Sequence, residues 1–253
     1  MSSRTKYGLL GKDIAYSFSK KYFTEKFQKL GLTNLKYVNF DIPEIEEFPF
    51  LTYHKEDEFG GMNVTIPYKE KVIKYLDALD KDAKEIGAVN TIKFTDDNRL
   101  IGYNTDTYGF QNSISPLLKK HHTKALILGT GGASKAIAFS LKKLKIEYKY
   151  VSRRLNDDNY LYSVLNEEIM TNYTIIINCS PVGTFPNIDE APAIPYEFIT
   201  EKHLLFDLIY NPSETKFLQE GKKRGASIIN GLKMLELQAE KSWEIWNNLK
   251  AVT

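Results

Sequence analysis

The stretch "ALILGTGGASKAI", residues 125–137, constrains the fold more than any other. An apolar run ends in Gly129, Thr130, Gly131 and Gly132, and a helical pattern follows from Ala133. Glycine at the first position permits a tight turn, and glycine at the third lets another group approach the backbone. The helix that follows offers its exposed N–H groups to an anion. Ser134 replaces the third glycine of G-x-G-x-x-G and is small enough for close helix–strand packing. A plain glycine turn in an α/β protein would look the same, so the surrounding pattern has to decide.

That pattern is α/β almost throughout. Before Lys124, "TKYGLLG", "LKYVNFDI" and "GMNVTI" read as strands, and "SKKYFTEKFQKLGL" as a helix capped by Ser19. "YKEKVIKYLDAL" and "KDAKEIGA" read as helices. "VNTIKF" and "LIGYNTD" flank the turn-rich "TDDN" and read as a hairpin. After Lys124 strands alternate with helices: "KALILG", "IEYKYVS", "TIIINCS", "HLLFDLIY" and "ASIING" are the strands. "TIIINCS" is too apolar for a wet face, as in a parallel sheet covered on both sides. "SETKFLQEGKKRG" and the closing "MLELQAEKSWEIWNNLK" are helices, and "TYGFQNSISPLLKK" is a bridging helix broken or kinked at Pro116.

These patterns predict two α/β domains: residues 1–105, joined by a C-terminal helix 234–253 that packs back on them, and a doubly wound, Rossmann-like parallel sheet over 106–233. A chain of 253 residues with 42% hydrophobic residues has core material for both. A net charge of +2 favours neither nucleic acid nor a membrane surface. One cysteine, Cys179, rules out an internal disulfide, and no C-x-x-C or H-E-x-x-H suggests a metal. No stretch has the length of a signal peptide core or a membrane span, so a soluble, cytoplasmic protein is expected.

The strand after the glycine turn ends in Ser152, Arg153 and Arg154. A carboxylate there would bond a ribose 2′-hydroxyl and repel a 2′-phosphate. A guanidinium binds that phosphate through charge-assisted bonds. The expected cofactor is therefore NADP rather than NAD.

Polar residues outside this region form a second set. Ser17 and Ser19 stand two apart, which puts them on one side of an extended segment. "NVTIPYK" carries Asn63, Thr65 and Lys69, "AVNT" carries Asn90 and Thr91, and "GYNTD" carries Asn104, Thr105 and Asp106, while Gln238 lies on the last helix. Hydroxyls, amides, one amine and one carboxylate suit a small polyhydroxylated ligand. Met62, Val64 and Ile66 would form the buried side of the third strand and turn Asn63 and Thr65 toward that ligand.

In this order the motifs resemble the shikimate dehydrogenase family over nearly the whole chain: S-x-S at Ser17 and Ser19, N-V-T-x-P-x-K at Asn63 to Lys69, G-A-V-N-T at Gly87 to Thr91, G-x-N-T-D-x-x-G at Gly102 to Gly109, and G-x-G-G-A-S at Gly129 to Ser134. The tail carries Tyr210, Gly231, Met234 and Gln238 at the family's places. The resemblance implies reversible reduction of 3-dehydroshikimate to shikimate with NADPH. It implies that Ser17 and Ser19 hold a carboxylate, and that Asn63, Thr65, Asn90, Asp106, Tyr210 and Gln238 line the ring hydroxyls. Lys69 and Asp106 would be the catalytic pair. Gly129, Thr130, Gly131, Gly132, Ala133, Ser152, Arg153, Arg154, Leu208 and Gly231 would contact NADP. The chain departs from the family's N-R-[ST] at Ser152–Arg154, keeping the arginine but not its neighbours.

Other readings of the same residues stay open at this level. Lys69 can be a surface lysine in a first helical turn, although the helix dipole disfavours a cation there. Asp106 can be the N-cap of a helix beginning at Thr107. If Lys69 is in the site, it either carries the proton or steadies the developing alkoxide. The rival functions are a quinate/shikimate dehydrogenase with broader NAD(P) use and a non-catalytic ligand sensor, which would be expected to lose Lys69 or Asp106. The partners expected are a small-molecule substrate alone, without nucleic acid or membrane, for a monomer or homodimer.

Overall fold

The computed structural model describes residues 5–15, 17–53, 59–154 and 159–248. The chain divides into two compact units, 1–105 with 239–253 and 106–238. The last helix crosses the division, so its opening turns, including Gln238, lie with the second unit. Residues 249–253 of the expected C-terminal segment lie outside the described residues.

In the first unit the elements run β1 (Lys6–Gly11), α1 (Phe18–Lys29), β2 (Lys36–Asp41), α2 (Phe48–Tyr53), β3 (Phe59–Val64), β4 (Ala78–Leu79), α3 (Lys81–Ile86), β5 (Thr91–Phe94) and β6 (Leu100–Tyr103). They form one mixed sheet of order β2-β1-β3-β5-β6-β4. β1 pairs in parallel with β2 and β3, whereas β3–β5 and β5–β6 are antiparallel. Leu10, Met62, Val64, Val72 and Ile92 fill one face with Phe48 and Tyr68. An aromatic cluster of Tyr7, Phe23, Phe27, Tyr37, Trp243 and Trp246 fills the other, so both tryptophans anchor the end of the last helix here. The indole of Trp246 donates to the Ile92 carbonyl at 3.0 Å. A Cβ at Gly61 would stand 2.1 Å from that indole nitrogen, so β3 needs glycine where the helix lies on it.

The second unit runs α4 (Asp106–Ile114), β7 (Lys124–Leu128), α5 (Gly132–Lys143), β8 (Glu147–Ser152), β9 (Asn159–Leu161), α6 (Glu167–Asn172), β10 (Ile175–Asn178), β11 (Leu204–Asp207), α7 (Lys216–Lys222), β12 (Ser227–Ile229) and α8 (Leu232–Trp246). Its six strands are all parallel in the order β12-β11-β10-β7-β8-β9. Core residues cover both faces, with Ile127, Ile175, Ile177 and Phe206 on one and Leu126, Leu128, Ile176 and Leu205 on the other. The strand order reverses at β7, and in such sheets ligands bind beyond the strand ends at that switch point.

Several local expectations are corrected. Ser17, not Ser19, caps α1, accepting from Lys20 N–H; Ser19 is therefore inside the first helical turn rather than two along an extended segment. The helix expected from Tyr68 is a short 3-10 turn, Lys71–Tyr75, followed by β4. Pairing of Ala78 and Leu79 with β6, and acceptance of the Leu100 N–H by the Asp77 carboxylate, hold that segment extended against its helical period. β3 stops at Val64, and Ile66 is 70% exposed rather than buried. The Thr65 N–H turns to the Leu10 carbonyl, and Pro67 has no N–H to extend a ladder. α4 begins at Asp106 itself and ends before a 3-10 turn containing Pro116. α7 is capped by Thr215 and starts three residues later than the sequence pattern suggests.

Candidate active site

In the first unit β2, β1 and β3 run parallel to one another, so the segments after them leave the same end of the sheet. The Asp41 carboxylate accepts the N–H groups of Asp13 and Ile14, and the Asn39 amide donates to the Ile14 carbonyl. These bonds set the loop that delivers Ser17 and Ser19. Ser17 is half-buried and spends its hydroxyl on the helix cap, while Ser19 is buried. Burial pushes the pKa of the Tyr37 phenol well up, and the nearby Ser19 draws it back in part.

After β3 the chain turns through Thr65 and Lys69, both half-buried. The Tyr68 N–H bonds the Thr65 carbonyl, and the Val89 N–H bonds the Lys69 carbonyl at 2.7 Å. Lys69 is thus tied by its backbone to the segment that ends in Asn90. Asn63 and Asn90 are 4% and 2% exposed. The Asn90 Oδ1 accepts the Thr105 N–H at 2.7 Å, while the Asn63 Oδ1 accepts the Tyr37 hydroxyl at 2.8 Å. A buried amide with both ends engaged has one orientation, which is what a site needs to discriminate donors from acceptors on a ligand.

In the second unit Asp106 is buried at the N-terminus of α4, where the helix dipole favours a carboxylate. One turn on, Gly109 lies against α8: a Cβ there would meet the Met234 carbonyl at 2.4 Å and the Gln238 Cβ at 3.2 Å. That close approach brings Asp106 and the buried Gln238 onto neighbouring helices.

The glycine turn sits at the switch point. Gly129 has φ +104°, a left-handed conformation, and a Cβ there would touch the backbone of Cys179 and Ser180 at 3.4 Å. Gly131 opens α5 with open space where a Cβ would be. Thr130 is exposed beside it, and Gly132 and Ala133 are half-buried. Ser134 donates its hydroxyl to the Gly131 carbonyl at 2.6 Å, closing the turn from within. This exposed, Cβ-free helix start fits a pyrophosphate. Past β8, Ser152 binds the Arg154 N–H and carbonyl, and the Asn159 amide donates to the Ser152 hydroxyl and to the same carbonyl. Ser152 therefore builds the turn, and Arg153 and Arg154 extend from it exposed, available to a 2′-phosphate.

A Cβ at Gly231 would stand 2.1 Å from the Leu208 carbonyl oxygen, so these two segments meet only at a glycine. Asp207 orders that region: its carboxylate accepts from the Asn178 amide, the Thr215 hydroxyl and the Ile209 N–H. Burial pushes Asp207 up to about 6, against those three donors. Tyr210 follows, 36% exposed. Cys179 is no nucleophile here, since burial, and secondarily Asp207, push its thiol up.

Three supporting residues escaped the sequence reading: Tyr37, Asp207 and Ser242. Only Ser242 had a signal, its place four residues after Gln238 on one helix face.

The chain is similar to known proteins over nearly its whole length. Residues 9–92 match the family model described as the shikimate dehydrogenase substrate binding domain. The chain is 39% identical over 99% of its length to the shikimate dehydrogenase (NADP(+)) of Methanococcus maripaludis, covering 94% of that protein. It is 37% identical to the enzyme of the same name from Methanocaldococcus jannaschii, covering 99% and 94% of the two chains. The structure of Thermus thermophilus shikimate 5-dehydrogenase, in complex with NADP(H) and shikimate, superposes with a TM-score of 0.85 at 30% identity, covering 97% of this chain and 94% of that one.

Proposed function

The chain belongs to the shikimate dehydrogenase family, and from that premise we propose that it reduces 3-dehydroshikimate reversibly to shikimate with NADPH. The observation that carries the reading is the joint retention of Lys69 with Asp106 and of the open glycine turn with Arg153, along a chain that matches an NADP(+) enzyme end to end. A ligand sensor on this fold has no need of the pair.

NADP, when bound, supplies the hydride. Gly129, Thr130, Gly131, Gly132 and Ala133 would hold its pyrophosphate, Ser152, Arg153 and Arg154 its 2′-phosphate end, and Leu208 and Gly231 its remaining face. Ser17 and Ser19 would hold the substrate carboxylate. Thr65, Asn90, Tyr210 and Gln238 would take ring hydroxyls, and Asn63 would act with them from the buried side. Lys69 and Asp106 would manage the hydroxyl proton. An amine beside the substrate oxygen can give or take that proton and favours the alkoxide in either direction, while a carboxylate orients the amine.

Among the described residues no helix is long and apolar enough to cross a membrane. A cytoplasmic location belongs to the proposal, and the single free cysteine suits a reducing compartment. Assembly as a monomer or homodimer belongs to it as well, and light scattering reads it directly. The activity is tested by mixing purified protein with shikimate and NADP and following NADPH absorbance. Steady formation of NADPH is expected, and none with either shikimate or quinate would overturn the reading.

A further inference from the structure

Ser242 stands on α8, fully buried, at the centre of a polar cluster in the first unit. Its hydroxyl oxygen lies 2.9 Å from the Asn63 Nδ2, 2.8 Å from the Thr91 Oγ1 and 3.2 Å from the Thr105 Oγ1. The Asn63 amide nitrogen can only donate, so Ser242 accepts from it. Of the two hydroxyls bonded to Ser242, that of Thr91 is the nearer. Thr91 in turn donates to the Asn90 Oδ1 at 3.1 Å. At the other end, the Asn63 Oδ1 takes the Tyr37 hydroxyl at 2.8 Å.

The bonds thus run in one continuous chain, Tyr37–Asn63–Ser242–Thr91–Asn90. The Asn90 end is pinned independently, because the Thr105 N–H can only donate and so requires Oδ1 to face it. The Asn90 amide consequently turns its N–H groups the other way, as donors.

Without the Ser242 oxygen, Asn63 Nδ2 would retain only the long approaches to Thr91 Oγ1 at 3.3 Å and the Asn90 carbonyl at 3.4 Å. A buried amide left with such bonds re-orients or pulls its neighbours toward it. Either response reaches Asn90 through Thr91 and Tyr37 through the Asn63 Oδ1.

We infer that Ser242 is a positioning residue for substrate recognition, the junction of a buried hydrogen-bond chain that fixes Asn63 and Asn90 as one unit facing shikimate. This rests on the proposed dehydrogenase activity. Ser242 touches no substrate; it acts through Asn63 and Thr91. The cofactor turn belongs to the other unit and shares none of these bonds.

The test compares Ser242→Ala, Tyr37→Phe and the double variant with wild type in steady-state kinetics and in calorimetric titration with NADP. Ser140→Ala is the matched control, since Ser140 is equally buried and bonds only the Ala136 carbonyl of its own helix. Loss of one buried hydrogen-bond partner predicts a rise in the shikimate KM of about 10-fold for Ser242→Ala. kcat should change far less, and NADP affinity and the Ser140→Ala kinetics should match wild type. The two changes cut the same chain, so the double variant should raise KM by less than the product of the single effects. A folded Ser242→Ala enzyme with wild-type KM, or a double variant whose effects simply multiply, overturns the inference. If Ser242→Ala does not fold, Tyr37→Phe alone carries the test, with unchanged KM as the refuting result. Wild-type protein inert toward shikimate would instead overturn the activity on which the inference stands, and the inference with it.

Discussion

The side-chain oxygen of Asn90 accepts the backbone N–H of Thr105 at 2.7 Å, one residue before Asp106. An amide on one motif thereby fixes the backbone of the next. The Thr105 hydroxyl approaches the same oxygen at 3.2 Å. The segment leading into Asp106 is therefore held by the group proposed to read a substrate hydroxyl.

Lys69→Ala should leave the fold and NADP binding intact, because the Lys69 backbone, not its amine, makes the bond to Val89. kcat should fall by about 10²–10⁴-fold, the usual contribution of a positioned acid–base group. Asp106→Asn should also lose most turnover while keeping its melting temperature near wild type. Stopped-flow or steady-state absorbance checks both, and near-normal turnover in Lys69→Ala would remove it from the mechanism.

Arg153→Ala should weaken NADP binding by about 10- to 100-fold, the loss expected for a hydrogen bond to a charged group, and leave NAD binding nearly unchanged. The turn itself should survive, because Ser152 and Asn159 build it without the guanidinium. Fluorescence titration with the two cofactors separates these outcomes, and equal losses for both would place Arg153 away from the 2′-phosphate.

Gly231→Ala should destabilise the second unit by on the order of 1–3 kcal/mol, the usual cost of overpacking. The added methyl meets a backbone carbonyl, which cannot rotate aside as a side chain would. Denaturant unfolding reads the change, and wild-type stability would show that the Leu208 segment yields.

Asp207 gives a pH dependence with a definite sign. Its folded pKa, about 6, lies above the ordinary carboxylate value of 3.8. The folded protein therefore binds this proton more tightly than the unfolded chain. The resulting stabilisation is full below about pH 4 and is lost as pH rises through about 6. Asp207→Asn removes that dependence, so the stability of wild type relative to the variant should decline from pH 4 to pH 7. A flat difference across that range, measured by denaturant unfolding, would show that Asp207 titrates normally.

How much of this was legible in the chain depended on range. The Gly129–Ser134 turn was readable because strand, glycines and helix adjoin, and the β5–β6 hairpin because its turn residues are local. The Lys71–Leu79 segment was misread, since its helical period gave way to pairing with β6, a tertiary choice. Ser17 and Ser19 were both seen, but which one caps α1 depended on where the helix begins, which leaves Ser19 inside its first turn and buried. The bond between Asn63 and Ser242 spans 179 residues, and no short motif encodes it. Asp207 looked like one more residue of a strand until its three donors were in place around it.

The most direct measurement is the set of kcat/KM values for shikimate and for quinate, each with NADP and with NAD, on one preparation of the wild-type protein. The account predicts that shikimate with NADP exceeds every other pair by at least tenfold, on the order of one lost charge-assisted bond at the cofactor. Values as high with NAD, or with quinate, would contradict it.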